Sequence, residues 1–190
     1  MSPGGLSGPD HGHDLLFGTF VTPTNRPVHQ AVEQAVVADR AGLDLVTFQD
    51  HPYVAKFHDT QTLLAFAAAR TERIRLAANV TNLPLRPPAV LARSIATLDQ
   101  LSGGRIELGL GAGAFWDGVV AMGGPRRTPG ESIEALEEAI AVIRGIWDAS
   151  DSSVLSVRGS TTRSSAPSAA PPRRTTSASG SAPTSRASCG

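Results

Sequence analysis

The chain has 190 residues, and its 17 basic and 17 acidic side chains give a formal net charge of zero. That balance gives no support to binding of nucleic acid or of an anionic membrane. No apolar run approaches the roughly 20 residues that a membrane-spanning helix needs, and the single cysteine, Cys189, cannot form an internal disulfide. Residues 1–14 are polar and lack the apolar core of a signal peptide, which predicts a disordered leader and a cytoplasmic protein.

Composition divides the rest of the chain near residue 157. Up to about Trp147 the sequence is rich in Leu, Val, Ile and Ala. From Ser156 to Gly190 it is almost entirely Ser, Ala, Thr, Arg, Pro and Gly, with Val157 as its one large aliphatic residue. Such a segment buries too little apolar area to offset its conformational entropy. We therefore predict one folded domain over 15–157 and a disordered, low-complexity tail over 158–190.

The folded region alternates short apolar runs with amphipathic segments. Buried strands are predicted at four apolar runs, 15–20, 43–48, 74–80 and 106–110. Helices are predicted from Pro27 to Gly42, from Asp59 or Thr60 to about Arg70, from Pro87-Pro88 to Ser102, and from Thr128 to Trp147. The last of these begins with Thr128-Pro129-Gly130-Glu131, the pattern of a capping box with proline at the first helical position.

The order of these elements, βαβαβαβα, predicts an α/β fold. Strands in which apolar and polar residues do not alternate regularly, and which are joined by helices, form a parallel sheet covered by helices. An open doubly wound sheet and a (β/α)8 barrel both fit, and periodicity alone does not choose between them. A complete barrel needs about 250 residues, and four strands cannot close one. In either architecture the site forms beyond the carboxyl ends of the strands.

Unusual residues follow three of the predicted strands. The second strand runs into Asp50-His51, the third into Asn79–Asn82, and the fourth into Gly111–Gly113. Histidine is the side chain best suited to proton transfer near neutral pH, although a structural histidine would satisfy the same pattern. Glycines let the backbone approach a flat ligand closely. Trp116 occupies the third-glycine position of the dinucleotide fingerprint, so an ordinary strand-to-loop bend also explains this Gly-x-Gly.

Other chemistries have little support in the sequence. His51 and His58 could share a metal, but no Cys or carboxylate spacing accompanies them, so no metal site is predicted. No Gly-x-Ser-x-Gly elbow is present, which leaves serine hydrolysis without support.

Five segments together carry a family pattern: Leu16–Phe20, Val46–His51, Asn79–Pro88, Leu98–Arg105 and Gly109–Gly113. In this order and spacing they resemble the luciferase-like monooxygenase family, including its deazaflavin-dependent members. The resemblance covers about 15–157. It implies the N-terminal half of a (β/α)8 TIM-type barrel, incomplete at about four βα units, followed by the disordered tail. It also implies an oxidoreductase that acts on a small-molecule substrate with reduced FMN or a deazaflavin such as coenzyme F-420.

The resemblance also implies roles for individual residues. His51 would be the catalytic residue, a proton donor beside the isoalloxazine-type ring, with Asp50 next to it. Asn79-Val80 match the place where the family often has a non-proline cis peptide in a bulge under the ring. The other positions that match cofactor-contacting residues are Asn82, Gly111, Ala112, Gly113 and Asp117. Ala114 stands where some deazaflavin-dependent sugar-phosphate dehydrogenases of the family carry a catalytic glutamate, which argues against that reaction here.

Two expectations concern the residues beyond the fourth predicted helix. The family's cofactor phosphate is held by loops after later strands that this chain lacks, so we expect a truncated enzyme with little activity. The composition of the tail is one that a shifted reading frame of a GC-rich gene commonly yields. We therefore also consider a frameshifted product, with a genuine disordered tail as the alternative.

Two non-enzymatic functions compete with the oxidoreductase. A half-barrel leaves two open sheet edges, so the chain could instead be a non-catalytic domain that self-associates as a homodimer. A nucleic-acid partner could act through the arginines of the tail, which are Arg158, Arg163, Arg173, Arg174 and Arg186. Those residues are spread out and lack interleaved aromatics, so we predict no nucleic-acid partner.

Overall fold

The structure is a computed structural model that describes residues 15–148, 154–158 and 163–167. The strands are β1 (Gly18–Val21), β2 (Leu45–Phe48), β3 (Arg75–Ala78), β4 (Thr81–Asn82), β5 (Ile106–Glu107), β6 (Leu110–Gly111), β7 (Val154–Arg158) and β8 (Arg163–Pro167). The helices are α1 (Gln30–Arg40), α2 (Thr60–Ala68), α3 (Pro88–Leu101), α4 (Trp116–Ala121) and α5 (Pro129–Trp147), with a 3-10 turn at Leu83–Leu85. None of the described helices is long and apolar enough to cross a bilayer.

A parallel sheet with the strand order β1-β2-β3-β5 forms the centre of the domain, which confirms the predicted α/β architecture. Alternate residues of each strand bury one face of this sheet against the helices. Val46, Phe48 and Leu76 have no exposed surface, and they pack in one core with residues of α1, α2, α3 and α5. The opposite face carries half-buried residues such as Thr47. The sheet is therefore covered by helices on one side.

The third and fourth predicted strands are each divided into two short strands. β3 and β5 pair within the main sheet, and just beyond them β4 pairs in parallel with β6. The interruption falls at Asn79-Val80 on one side and at Leu108-Gly109 on the other. It bends the carboxyl edge of the sheet at the position where the sequence places its unusual residues.

The longest helix, α5, begins as the sequence predicts. The Thr128 side chain accepts the backbone N–H of Glu131, and the Glu131 carboxylate accepts the backbone N–H of Thr128 at 2.7 Å. At its other end, Trp147 donates its indole N–H to the Ala92 carbonyl at 2.9 Å, which ties α5 to α3. This confirms the predicted capping box.

Three differences from the predicted elements have physical causes. β1 begins at Gly18 rather than at residue 15, and Phe17 instead exchanges hydrogen bonds with Asp44 across the start of β2. The short helix α4 was not predicted, because a helix of 6 residues shows too little periodicity.

In the tail, Arg163–Pro167 pairs antiparallel with Val154–Arg158. Main-chain groups make that pairing, so a composition poor in large apolar residues does not prevent it. The predictions of disorder for the leader and for the rest of the tail lie outside the described residues.

Asp39, near the end of α1, connects that helix to the start of β3. Its buried carboxylate accepts backbone N–H groups from Glu72 at 2.8 Å, from Arg73 at 3.2 Å and from Ile74 at 2.8 Å. Burial by itself would raise the pKa of Asp39, but these three hydrogen bonds outweigh it and hold the pKa below its usual value.

We expect Asp39→Asn to lower the free energy of unfolding by about 1–3 kcal/mol at neutral pH, since an amide cannot accept all three N–H groups as well. The pKa of Asp39 is lower in the folded chain than in the unfolded chain. The stability that Asp39 contributes is therefore fully present above the pKa of the unfolded carboxyl group, and it is lost as the pH falls through the pKa of the folded one. Urea unfolding across the acid range measures both effects. Glu33→Gln, on the exposed face of the same helix, is the control and should change little. Equal stability of Asp39→Asn and the native chain would contradict the prediction.

Candidate functional site

The structure brings the predicted residues of three strand ends together at one edge of the sheet. The Asn79 N–H donates to the Phe48 carbonyl at 2.7 Å, which places the end of β3 beside the residues that follow β2. The Thr81 N–H donates to the Gly109 carbonyl at 2.8 Å, and Asn82 pairs with Gly111. Parallel strands carry their carboxyl ends to the same edge, so residues far apart in sequence meet there.

The peptide bond between Asn79 and Val80 is cis, as the family resemblance implies. Both residues are exposed at the strand break, and the Val80 side chain lies over Gly111. A Cβ atom on Gly111 would lie 2.5 Å from Cγ2 of Val80, and one on Gly109 would lie 2.5 Å from the Ala78 carbonyl oxygen. The glycines are thus needed for the bulge itself. Close approach of a ligand, the role predicted for Gly111, stays a prediction.

A buried ion pair joins Asp50 to Arg86, a residue that the sequence reasoning did not single out. The guanidinium donates from Nε to Asp50 Oδ2 and from Nη2 to Asp50 Oδ1, both at 2.7 Å. The Asp50 side chain is fully buried and that of Arg86 is 17% exposed. The Asn82 backbone N–H also donates to Asp50 Oδ2, at 2.9 Å. Asp50 therefore fixes the loop after β3.

Arg86 also reaches Asp59, the residue that caps α2. Its Nη2 donates to Asp59 Oδ2 at 2.8 Å, while the other oxygen of Asp59 accepts the Thr62 N–H at 2.9 Å. Burial opposes the charge of Arg86 and of Asp59. Even so, hydrogen bonds to Asp50 and Asp59 raise the pKa of Arg86, and the bonds from Arg86 and Thr62 lower the pKa of Asp59. The three charges tie together the end of β2, the loop after β4 and the start of α2.

His51 lies beside this network among aromatic rings. Its Nδ1 is 2.9 Å from the Tyr53 hydroxyl, and its ring is 5.8 Å from that of Phe115 in an edge-to-face arrangement. The ring of Phe57 is 6.3 Å away. These side chains surround a pocket of about 380 Å³ whose lining residues are His51, Tyr53, Val54, Phe115, Asp117 and Gly118. The described residues supply no hydrogen-bond partner for Nε2 of His51.

Phe115 takes an uncommon backbone conformation. It precedes α4 with a φ of 53°, in the left-handed region that bulky residues rarely adopt. Its side chain is exposed and contacts the rings of His51 and Tyr53. Backbone outliers of this kind cost about 1–3 kcal/mol and are concentrated at functional sites. No pattern in the sequence indicated this feature.

Tyr53 packs between α4 and the polar edge of the sheet. A Cβ atom on Gly118 would lie 2.7 Å from the Tyr53 ring, so the glycine in α4 makes room for the phenol. Burial raises the pKa of the Tyr53 phenol, and the nearby charge of Asp50 raises it further. The Oδ1 atom of Asn82 is buried and has no hydrogen-bond partner among the described residues.

The remaining predicted positions lie at the rim. Gly113 has a φ of 110°, and a Cβ atom there would lie 2.6 Å from Cγ of Pro84. Ala112 is half-buried beside it. Asp117 lines the same pocket as His51, but its carboxylate is almost fully exposed and is paired with Arg126.

No group of three or more potential metal ligands occurs among the described residues. His58 does not belong to such a group, and its Nε2 is 2.9 Å from the Val28 carbonyl oxygen. That bond gives His58 a structural role.

A parallel sheet with helices on one face and a histidine-containing site at its carboxyl edge belongs to the barrel class of α/β proteins. Residues 15–189 match the family model described as luciferase-like monooxygenase, and the chain therefore belongs to that family. The match extends beyond residue 157, where the resemblance in the sequence ends. The fold is accordingly the N-terminal part of a TIM-type barrel rather than a doubly wound sheet.

Curated relatives include reductases and dehydrogenases. The chain is 37% identical over 133 residues to the 5,10-methylenetetrahydromethanopterin reductase of Methanolobus tindarius, covering 69% of this chain and 38% of that protein. It is 36% identical over 142 residues to the F420-dependent glucose-6-phosphate dehydrogenase of Nocardia farcinica, covering 70% of this chain and 42% of that protein. The chain thus spans less than half the length of these relatives.

Similar solved structures include monooxygenases. Monooxygenase RslO1 from Streptomyces bottropensis is 27% identical with a TM-score of 0.69, over 83% of this chain and 50% of that one. The oxygenating constituent of 3,6-diketocamphane monooxygenase from Pseudomonas putida, in complex with FMN, is 27% identical with a TM-score of 0.66. That match covers 80% of this chain and 44% of that one.

The buried pair predicts a large difference between two arginine substitutions. Arg86→Gln leaves the Asp50 carboxylate buried without its partner, so we expect the free energy of unfolding to fall by about 3–5 kcal/mol. Arg75→Gln is the matched control, because Arg75 pairs with Glu107 at 2.8 Å but both side chains are more than a third exposed. An exposed pair contributes about 0–1 kcal/mol. Urea unfolding of the two variants measures the difference, and equal losses would contradict the importance of the buried pair.

Proposed function

We propose that this domain forms the ring-binding part of an oxidoreductase site that uses FMN or a deazaflavin such as coenzyme F-420. The observation that carries the proposal is the position of His51, whose imidazole faces a pocket at the same sheet edge as the cis Asn79-Val80 bulge. The relatives agree with this assignment, since their names include F420-dependent enzymes and one solved structure is a complex with FMN.

The side chains at this edge suit a flat ring system with an apolar body and a polar rim. Val80, exposed over the bulge, offers an apolar surface for a ring face. Asn82 offers a buried amide oxygen without a partner among the described residues, which is suited to a ring N–H group. His51 offers an imidazole nitrogen at the pocket. We propose that the same cofactor is bordered by Gly111, Ala112, Gly113 and Asp117. Asp50 would act on the cofactor site indirectly, through the loop after β3 that it fixes.

When bound, a flavin or deazaflavin supplies hydride transfer or reaction with oxygen. The residues of this chain would orient the ring and control protons around it. His51 would hold a proton at an imidazole nitrogen and donate it, or a hydrogen bond, to a group that gains negative charge. Phe115 and Tyr53 would limit the access of water to that nitrogen.

The substrate proposed is a small molecule other than a sugar phosphate. Ala114 is exposed at the rim. By the family resemblance, it stands where some deazaflavin-dependent sugar-phosphate dehydrogenases carry a catalytic glutamate. The described residues that line the pocket beside His51 are mostly aromatic or apolar, and none of them is a lysine or arginine. A phosphate group would find no cation among them.

Cofactor binding tests the proposal directly. The full chain is titrated with FMN and, separately, with coenzyme F-420, and quenching of the cofactor's fluorescence is followed. We expect binding of at least one of them, and about tenfold weaker binding by Asn82→Leu, which removes the buried amide oxygen. Gln34→Leu, on the exposed face of α1, is the matched control and should bind as the native chain does. A folded chain that binds neither cofactor, or equal affinities for the native chain and Asn82→Leu, would overturn the proposal.

A second candidate function is self-association through the open edge at β1. Beside that strand lies a groove of about 660 Å³ between β1 and α1, and Phe20 and Val37 at the groove are exposed. An unpaired strand edge with apolar neighbours favours pairing with another chain. We propose a second copy of this chain as the alternative occupant, with no catalytic role.

Light scattering coupled to size-exclusion chromatography tests this second candidate function. If β1 edges associate, the native chain is a dimer at high concentration and Val37→Glu shifts it towards monomer, because a buried carboxylate without a partner opposes association. Val90→Glu is the matched control, since Val90 on α3 is also 65% exposed. A native chain that stays monomeric at every concentration contradicts self-association.

A further inference from the structure

We propose that Tyr53 is a positioning residue that holds the single proton of the neutral His51 ring on Nε2, the nitrogen available to the pocket. The inference concerns residues of this chain alone, and its use in chemistry rests on the proposed function. Its basis is the hydrogen bond between the Tyr53 hydroxyl and Nδ1 of His51.

The first step is the contact between the phenol and the imidazole. The Tyr53 hydroxyl lies 2.9 Å from Nδ1 of His51, and the two rings are 5.6 Å apart. Either group can be the donor in such a contact, because a neutral imidazole has one nitrogen with a hydrogen and one without. The direction of this bond therefore determines which nitrogen of His51 carries the proton.

The second step is the direction of that hydrogen bond. The phenol has a single hydrogen, and Nδ1 of His51 is the hydrogen-bond partner that the described residues give its hydroxyl. If Nδ1–H were the donor, the phenol hydrogen would have no acceptor among the described residues. With the phenol as the donor, its hydrogen and the free lone pair of Nδ1 are both used. The Tyr53 hydroxyl therefore donates to Nδ1 of His51.

The third step is that the phenol keeps its hydrogen. Burial and the neighbouring negative charge of Asp50 raise the pKa of Tyr53 above its ordinary value. A protonated phenol is thus the form present when His51 is neutral. The ring is also held in place, since Gly118 lies against one side of it and the Phe115 ring is 6.2 Å away.

The consequence is a His51 ring with a fixed tautomer. With Nδ1 accepting from Tyr53, the N–H group is at Nε2, for which the described residues supply no partner. His51 then presents a hydrogen-bond donor to the pocket, suited to an anionic or carbonyl oxygen or a ring nitrogen there. The same ring with its proton on Nδ1 would present an acceptor and could not donate.

Nitrogen-15 NMR of the histidine side chains tests the tautomer in the full chain without any cofactor. Spectra are taken at a pH where imidazole is neutral, and His51 is assigned by its loss in His51→Gln. We expect the Nε2–H form in the native chain, with a ratio of Nε2–H to Nδ1–H about fivefold lower in Tyr53→Phe. Phe115→Leu removes the other ring beside His51 but no hydrogen bond, so its ratio should equal the native one. A native His51 with its proton on Nδ1, or an unchanged ratio in Tyr53→Phe, overturns the inference.

A second measurement covers the phenol itself. Tyr53 is the only tyrosine of the 190 residues, so ultraviolet absorbance reports its ionisation alone. We expect a midpoint above the usual value of about 10 in the folded chain and a return to that value in urea. A midpoint in the folded chain low enough to ionise the phenol at the pH of the NMR measurement would leave Tyr53 no hydrogen to donate and would contradict the inference. Neither measurement uses a cofactor, so failure of cofactor binding and failure of this inference are separate results.

Discussion

The buried pair of Asp50 and Arg86 is the constraint on which the site depends. Both carboxylate oxygens of Asp50 are engaged by one guanidinium 36 residues further along the chain. In a low-dielectric interior such a pair is costly to break, since the partner that remains cannot be solvated. Because Asp50 precedes His51 directly and also accepts the Asn82 N–H, the pair sets the position of the imidazole relative to the loop after β3. Its extension to Asp59 brings the start of α2 into the same arrangement.

The charged side chains around the pocket are taken up in ion pairs. Asp50 and Asp59 share Arg86, and Asp117 at the rim is matched by Arg126. Inside that rim, His51 and Tyr53 face the pocket beside Val54 and Phe115. A ligand that enters displaces water from apolar surface and meets an imidazole that can transfer a proton near neutral pH. That division is typical of enzymes in which a cofactor carries the redox chemistry and the protein supplies orientation and proton control.

Local patterns predicted the framework well and the contacts within the site poorly. The parallel order of strands follows from apolar runs separated by amphipathic segments, and the start of α5 from the pattern Thr128–Glu131. Arg86 could not be found this way, because nothing in hydrophobic periodicity marks an arginine whose partners lie across the fold. The conformation of Phe115 was missed for a related reason. Phe115 has a positive φ and contacts Tyr53, which lies 62 residues earlier in the chain, and such a contact exists only once the sheet has formed. The family resemblance, by contrast, did locate the cis peptide at Asn79-Val80.

The ion pair and the contact between Tyr53 and His51 lie next to each other at the same sheet edge. Arg86 fixes Asp50, Asp50 accepts the Asn82 backbone N–H, and the residue after Asp50 is His51, whose ring contacts the Tyr53 hydroxyl. All these groups come from the strand ends and loops between β2 and α3. The imidazole is thus positioned by contacts within this part of the fold. Relatives that share this arrangement can therefore differ in substrate through other loops while the histidine keeps its place.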